Sequence, residues 1–354
     1  MKRNMVLRLS LLGLAAIVWS CQKTNESPEV SPIEWEVLTT PVKSSLRGLS
    51  ALTDDIAWAS GSEGVWLRTL DGGKSWDHGV IAGMDTVDFR DIEAFDANTA
   101  VAISSGQPAV IYKTTNGGED WKKVYQASDS AFFDGMTFVN DRRGYVYGDP
   151  EEGKWKLVLT LNGGESWDDI SSAPKASPGE AGFAASGTGI LAKDHRIWMA
   201  SGGSQSRIFF SEDGGVDWDS IPVPITQGAP SKGIFSLAFI NGKNLIAVGG
   251  DYKNPDLDQD NIAMSFDEGK SWVKPKGNGP SGYRSGVAYY AKYHWLIAVG
   301  PNGSDYSGNA GHNWTKFSDA AFHVIQKSNN GETIWASGPN GKIAKLLTSS
   351  DQSD

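Results

Sequence analysis

One eight-residue pattern, S/T-x-D/N-x-G-x-x-W, constrains this chain more than any other feature. It occurs as Thr69-Leu-Asp-Gly-Gly-Lys-Ser-Trp76, Thr114-Thr-Asn-Gly-Gly-Glu-Asp-Trp121 and Thr160-Leu-Asn-Gly-Gly-Glu-Ser-Trp167. It returns as Ser211-Glu-Asp-Gly-Gly-Val-Asp-Trp218, Ser265-Phe-Asp-Glu-Gly-Lys-Ser-Trp272 and, more weakly, Ser307-Gly-Asn-Ala-Gly-His-Asn-Trp314. These are Asp-boxes, and Trp35 in Ile33-Glu-Trp-Glu-Val-Leu38 marks a seventh phase without a box. The tryptophan spacings of 41, 45, 46, 51, 54 and 42 residues match the length of a four-stranded propeller blade.

Each repeat reads as strands. In the first, Ser45–Ala51, Ile56–Ser60 and Val65–Thr69 are alternating or β-branched runs bounded by Gly and Asp turns, and Trp76 opens a fourth strand. The last repeat, Phe322–Leu347, has three strands and no box, while Ile33–Leu38 has the phase of the missing one. The expected fold is all-β: a seven-bladed β-propeller over residues 33–348, its last blade completed by the N-terminal strand, which removes an open edge. Within the boxes, Asp71, Asn116, Asn162, Asp213, Asp267 and Asn309 suit acceptance of turn N–H bonds. Trp76, Trp121, Trp167, Trp218, Trp272 and Trp314 suit packing between strands, so the boxes read as scaffold and not as ligand sites.

Ahead of the repeats, Lys2, Arg3 and Arg8 precede an apolar run from Leu9 to Trp19, then Ser20 and Cys21. This is an export-signal pattern over residues 1–20. The run is too short to span a hydrocarbon core about 30 Å thick. Val18-Trp19-Ser20-Cys21 resembles a bacterial lipoprotein signal, which implies lipidation of Cys21, the only cysteine, and a membrane-anchored location in the bacterial cell envelope, facing the periplasm or the cell surface. Residues 21–32 read as a flexible tether and 349–354 as a disordered tail. Removing residues 1–20 would take away three basic side chains and move the charge from −10 to −13. Such an acidic balance excludes a general nucleic-acid binder.

Propeller geometry puts the boxes on one face and the starts of the inner strands on the other, together with the loops joining second and third strands. Inner-strand starts carry Arg47, Arg90, Asp91, Asp134, Ser186, Arg284 and His323. The second-to-third loops are expected to carry Asp149, Asp251, Tyr252, Asp305 and Tyr306. Extra residues at Ser171–Gly182, Val223–Lys232 and Asp251–Asn261 gather on the same rim, as insertions do at binding faces. Convergence of Arg47, Arg90 and Arg284 would suit a carboxylate, sulfate or phosphate, whereas pairing with Asp91, Asp134 and their neighbours would make a solvated channel. Tyr283 and Glu180 are candidate walls. No histidine or cysteine spacing suits a metal, and no P-loop or G-x-G-x-x-G supports a nucleotide or nicotinamide, so no cofactor is expected and an oxidoreductase role has no motif.

The Arg47-Gly-Leu start, the Trp58-Ala-Ser-Gly strand and the Thr-x-Asp-Gly-Gly-x-Ser-Trp76 boxes resemble photosystem II stability/assembly-factor propellers over roughly residues 33–347. The resemblance implies an exported, lipid-anchored, non-catalytic protein that binds a protein partner through an arginine-bearing rim. Alternatives from other classes are a sialidase-like or other glycoside hydrolase, with Tyr283, Glu180 and Asp91 in the catalytic parts, and a glycan-binding propeller using Tyr252 and Tyr306. Two rim carboxyls about 5 to 9.5 Å apart would favour hydrolysis.

Overall fold

The computed structural model describes residues 33–348. The signal at 1–20, Cys21, the rest of the tether and the 349–354 tail therefore lie outside the described residues. Within them the chain forms seven antiparallel sheets, interrupted only by two three-residue 3-10 turns. The first blade runs Leu46–Ala51, Ala57–Gly61, Val65–Thr69 and Asp77–Val80 from the channel outward. The other inner strands are Asp88–Ala94, Phe133–Phe138, Ile190–Lys193, Lys232–Phe239, Gly286–Tyr290 and Val324–Lys327. Blade seven is completed by Glu34–Leu38, antiparallel to Ile343–Leu347 with Trp35 opposite Leu346. That pairing joins the two ends of the propeller in one sheet.

Apolar packing is distributed in wedges between neighbouring blades. Trp58 and Trp66 of blade one, for example, pack with Phe89, Ile92 and Ala102 of blade two. Small residues make the close approach feasible: every position of Ala57–Gly61 is buried. Aromatic side chains then fill the widening outer part of each wedge, as in the Trp58–Trp121 edge-on pair with centroids 6.3 Å apart.

The boxes are self-contained hydrogen-bonded turns. Thr69 Oγ1 accepts from Gly73 N at 2.8 Å, and Asp71 Oδ1 accepts from Ser75 N at 2.9 Å. The same hydroxyl bond recurs from Gly118, Gly164, Gly215, Gly269 and Gly311 to their own Thr or Ser. Trp218, Trp272 and Trp314 donate Nε1 to the box glycine carbonyl at 3.1 Å. Each box follows a third strand, so all of them lie at the ring face opposite the inner-strand starts.

Blade five differs from the rest. Its fourth strand is reduced to a bridge between Met264 and Val273. On the channel side its sheet gains Gly202–Gly203 and then Glu180–Ala181. The insertion expected at Ser171–Gly182 thereby becomes a strap that continues across the mouth of the channel.

A charged funnel at the channel mouth

Four inner strands carry a one-residue register shift at the same place. Arg47, Arg90, Asp134 and Phe235 are each skipped by the ladder to the second strand. A β-bulge releases its extra residue from pairing and re-aims it. Here all four side chains line one cavity of about 500 Å³, joined by Ser285 of blade six and His323 of blade seven. Asp149, skipped in the ladder between the second and third strands of blade three, lines it too.

Three chemically distinct sectors result. Blades one, two and seven supply Arg47, Arg90 and His323. Arg47 makes no salt bridge among the described residues, and its Nη1 donates only to Ala185 O of the strap at 3.3 Å. Burial first, and then the Arg90 charge, lowers its pKa. Arg90 pairs with Asp88 at 2.7 Å and reaches Ala184 O at 3.5 Å. His323 is pushed down to about 3 by burial and then by Arg47, Arg90 and Lys342, so it is neutral at pH 7 and hydrogen-bonds Ser45 Oγ at 3.0 Å.

Blade three supplies the acids. Asp134 is 1% exposed, and neither of its carboxyl oxygens has a hydrogen-bond partner. Burial, followed by repulsion from Asp149, raises its pKa well above the carboxylate range, with Arg90 opposing. Asp149 accepts from Gly182 N at 2.8 Å through Oδ1, and burial raises its pKa as well. Gly182 belongs to the strap and lies directly on Asp134: a Cβ there would meet Oδ2 at 2.2 Å. The third sector is aromatic. Phe183 stacks on Phe235 at 3.9 Å, while Tyr252 and Tyr283 meet Phe235 edge-on at 6.3 and 4.7 Å.

Of the residues expected at the rim, the structure brings together Arg47, Arg90, Asp134, Asp149, Tyr252, Tyr283 and His323. Arg284 departs from the three-arginine convergence. It is 0% exposed and ion-paired to Asp305, itself 1% exposed. Its remaining donors reach Tyr283 O at 2.8 Å, Asn302 Oδ1 at 2.7 Å and Ser281 Oγ at 2.9 Å. The reason is a one-residue offset, which turns a strand side chain to the other face. Arg284 N donates to Gly249 O of the preceding blade, as Leu46 N does to Gly338 O and Phe322 N to Gly300 O. Arg284 thus occupies the blade-six position of the buried apolar residues Leu46 and Phe322, and Ser285 is the funnel residue.

Asp305 and Tyr306 are not in a loop. Gly300 and Gly303 form a tight hairpin that draws both into the third strand, where Tyr306 packs against Trp295 and Phe317. Asp251 closes its own loop by accepting from Lys253 N and Asn254 Nδ2 at 3.0 and 2.8 Å. Ser186 is pinned to Ser285 O at 2.7 Å.

The three residues cast in hydrolase parts do not meet in the cavity, which Tyr283 lines and Glu180 and Asp91 do not. Both Glu180 oxygens are held by Arg207, at 2.9 and 2.5 Å, and Ser201 Oγ donates to the first at 2.7 Å. Asp91 is buried, accepts from Ile92 N and Met136 N at 2.9 and 2.7 Å, and does not line the cavity. Burial drives the Tyr283 phenol away from ionisation. Phe183, Phe235 and Ser285 were not anticipated. The shared pattern Leu46-Arg47-Gly48, Phe89-Arg90-Asp91, Phe133-Asp134-Gly135 and Ile234-Phe235-Ser236 is the signal that marks Phe235.

Fold and site together define a class: a seven-bladed propeller with box turns at one face and a charged, aromatic-walled funnel at the other. The family model for photosynthesis system II assembly factor YCF48 matches residues 27–130, which reach through blade two. The photosystem II assembly lipoprotein Ycf48 of Synechococcus sp. (strain CC9902) is 22% identical over 304 residues, 76% of this chain and 85% of that protein. Among solved structures, YCF48 bound to D1 peptide superposes with a TM-score of 0.62 at 16% identity, covering 91% of this chain and 99% of that one. YCF48 from Cyanidioschyzon merolae gives 0.59 at 14%, covering 88% and 98%. A GH74 xyloglucanase from Xanthomonas campestris gives 0.62 at 14%, covering 90% and 54%, so at these identities the structural likeness speaks for the fold. The chain is thus a seven-bladed propeller that is similar to Ycf48 in sequence and in fold.

Proposed function

We propose that this protein is a non-catalytic propeller, lipid-anchored in the cell envelope through Cys21, that holds a protein partner at the funnel as an assembly or stability factor. The observation that carries the reading is the pair Arg47 and Arg90, both released by bulges into one cavity, with Arg47 lacking a carboxylate partner among the described residues. Two like charges held side by side favour an incoming anion, and the guanidinium fork suits a carboxylate. The lipoprotein name of the Synechococcus relative and the peptide bound to the solved YCF48 support anchoring and a polypeptide partner. The arginine pair replaces the three-arginine rim expected from sequence.

The test is cross-linking in native envelopes followed by recovery of the protein with its partners. Arg47→Ala/Arg90→Ala should lose a partner that the unaltered protein retains, with the near-UV circular dichroism unchanged. Equal recovery of every partner by the double variant refutes the arginine site.

A further inference from the structure

The funnel holds two arginines and two carboxyls that do not pair with one another. No salt bridge joins Arg47 or Arg90 to Asp134 or Asp149. Asp134 is the sharpest anomaly: a carboxyl in the wall of a cavity, 1% exposed, with two unpartnered oxygens. Burial disfavours the charged form of the Asp134 carboxyl, and a cation brought beside its unpartnered oxygens would favour that form again. Beside it, Asp149 commits Oδ1 to Gly182 and leaves Oδ2 without a partner among the described residues. Arg90 and Asp134 stand on adjacent blades, and the aromatic wall of Phe183, Phe235, Tyr252 and Tyr283 lines the same cavity.

We propose that the funnel recognises a lysine or arginine residue bearing a free α-carboxylate, its carboxylate on Arg47 and Arg90 and its side-chain cation on Asp149, backed by Asp134. This rests on the arginine-bearing site proposed above and adds the identity of the residue it takes. A long basic side chain suits a cavity that offers all three sectors together. Its methylene stem lies along apolar and aromatic surface while its head stays polar. Aromatic faces also attract the cation itself. An apolar C-terminal side chain would leave both carboxyls uncompensated, so the acids act as selectors against it. The chemistry is shared by a peptide C-terminus and by the free amino acid.

The experiment is fluorescence anisotropy on the full chain with labelled pentapeptides identical except at the last residue: lysine, norleucine and lysine amide. The lysine acid should bind about tenfold tighter than the norleucine acid, the scale of one charge-assisted contact. Asp149→Asn and Asp134→Asn should each shrink that ratio to about twofold or less. Asp134→Asn is isosteric and removes the ionisable group, and Asp149→Asn provides an independent variant should the first fold poorly. Equal affinity for lysine and norleucine acids, or an unchanged ratio in Asp149→Asn, overturns the basic-residue inference while the carboxylate site stands. An amide that binds as well as the acid overturns the arginine site itself. Failure of the lysine acid to bind at millimolar concentration also overturns the inference, and the envelope pull-down then decides the arginine site separately. Free lysine competing at the peptide's own concentration supports the amino-acid source; competition only at great excess supports the peptide.

Discussion

Blade six replaces an apolar contact by an ion pair, and that exchange sets up a sharp stability test. Arg284 stands where Leu46 and Phe322 stand in blades one and seven, and Asp305, two residues before its box serine, stands where Leu67 precedes Thr69. Removing one partner of a fully buried pair leaves the other charge uncompensated, so Asp305→Ala and Arg284→Leu should each cost about 3–5 kcal/mol. After Arg284→Leu, Asp305 keeps only Ser281 N at 3.2 Å. The double change Arg284→Leu/Asp305→Leu restores the pattern of the other blades but orphans Tyr283 O and Asn302 Oδ1, at about 1 kcal/mol each, while Ser281 N and Oγ, on an exposed residue, turn to water. It should therefore lie within about 2 kcal/mol of the unaltered protein, far less than the sum of the singles. Urea unfolding followed by tryptophan fluorescence and by far-UV circular dichroism provides the measurement, the two transitions needing to coincide. A single variant losing under about 1 kcal/mol, or a double variant as unstable as the summed singles, would refute the buried-pair argument. The double variant should also bind partner normally, because neither residue lines the funnel.

Two further outcomes follow from the packing around blade seven. His323 has its folded pKa depressed to about 3 from 6.5, so below pH 6.5 the unfolded chain binds the proton and the folded one does not. Its contribution to stability is lost as pH falls from 6.5 toward 3; relative to His323→Gln, the unaltered protein should lose about 2 kcal/mol between pH 6.5 and 4.5, and parallel pH profiles would contradict this. Trp35→Ala removes the ring packed 5.0 Å from Phe322 and the Nε1 bond to Ser304 Oγ at 3.0 Å. A loss of about 3 kcal/mol is expected in the same denaturation assay, and an unchanged midpoint would show that this strand does not close the ring.

Much of the fold was legible because its signals are local. Each box satisfies its own turn through side chains four residues apart, so its sequence needs no tertiary context. The partnerless phase of Trp35 announced the closing strand in the same way. The funnel was legible where charge stood out at a strand start, as at Arg47, Arg90 and Asp134. Its aromatic wall was not, because Phe183 and Phe235 read as ordinary core residues until the strap and the bulge turn them inward. Arg284 misled for a complementary reason. A bulge changes which residue faces the channel, so counting from the tryptophans places a side chain only to within one position, and one position reverses the face.

The bulged residues carry a consequence for how such a ring can change over time. Arg47, Arg90, Asp134 and Phe235 contribute nothing to strand pairing, and each comes from a different blade. Exchanging one leaves the ladders, the wedges and the box turns as they were. Recognition is thereby written in an alphabet separate from the one that specifies folding, one letter per blade. A duplicated copy of this chain could acquire a new partner by a few such exchanges, with its strand pairing unchanged.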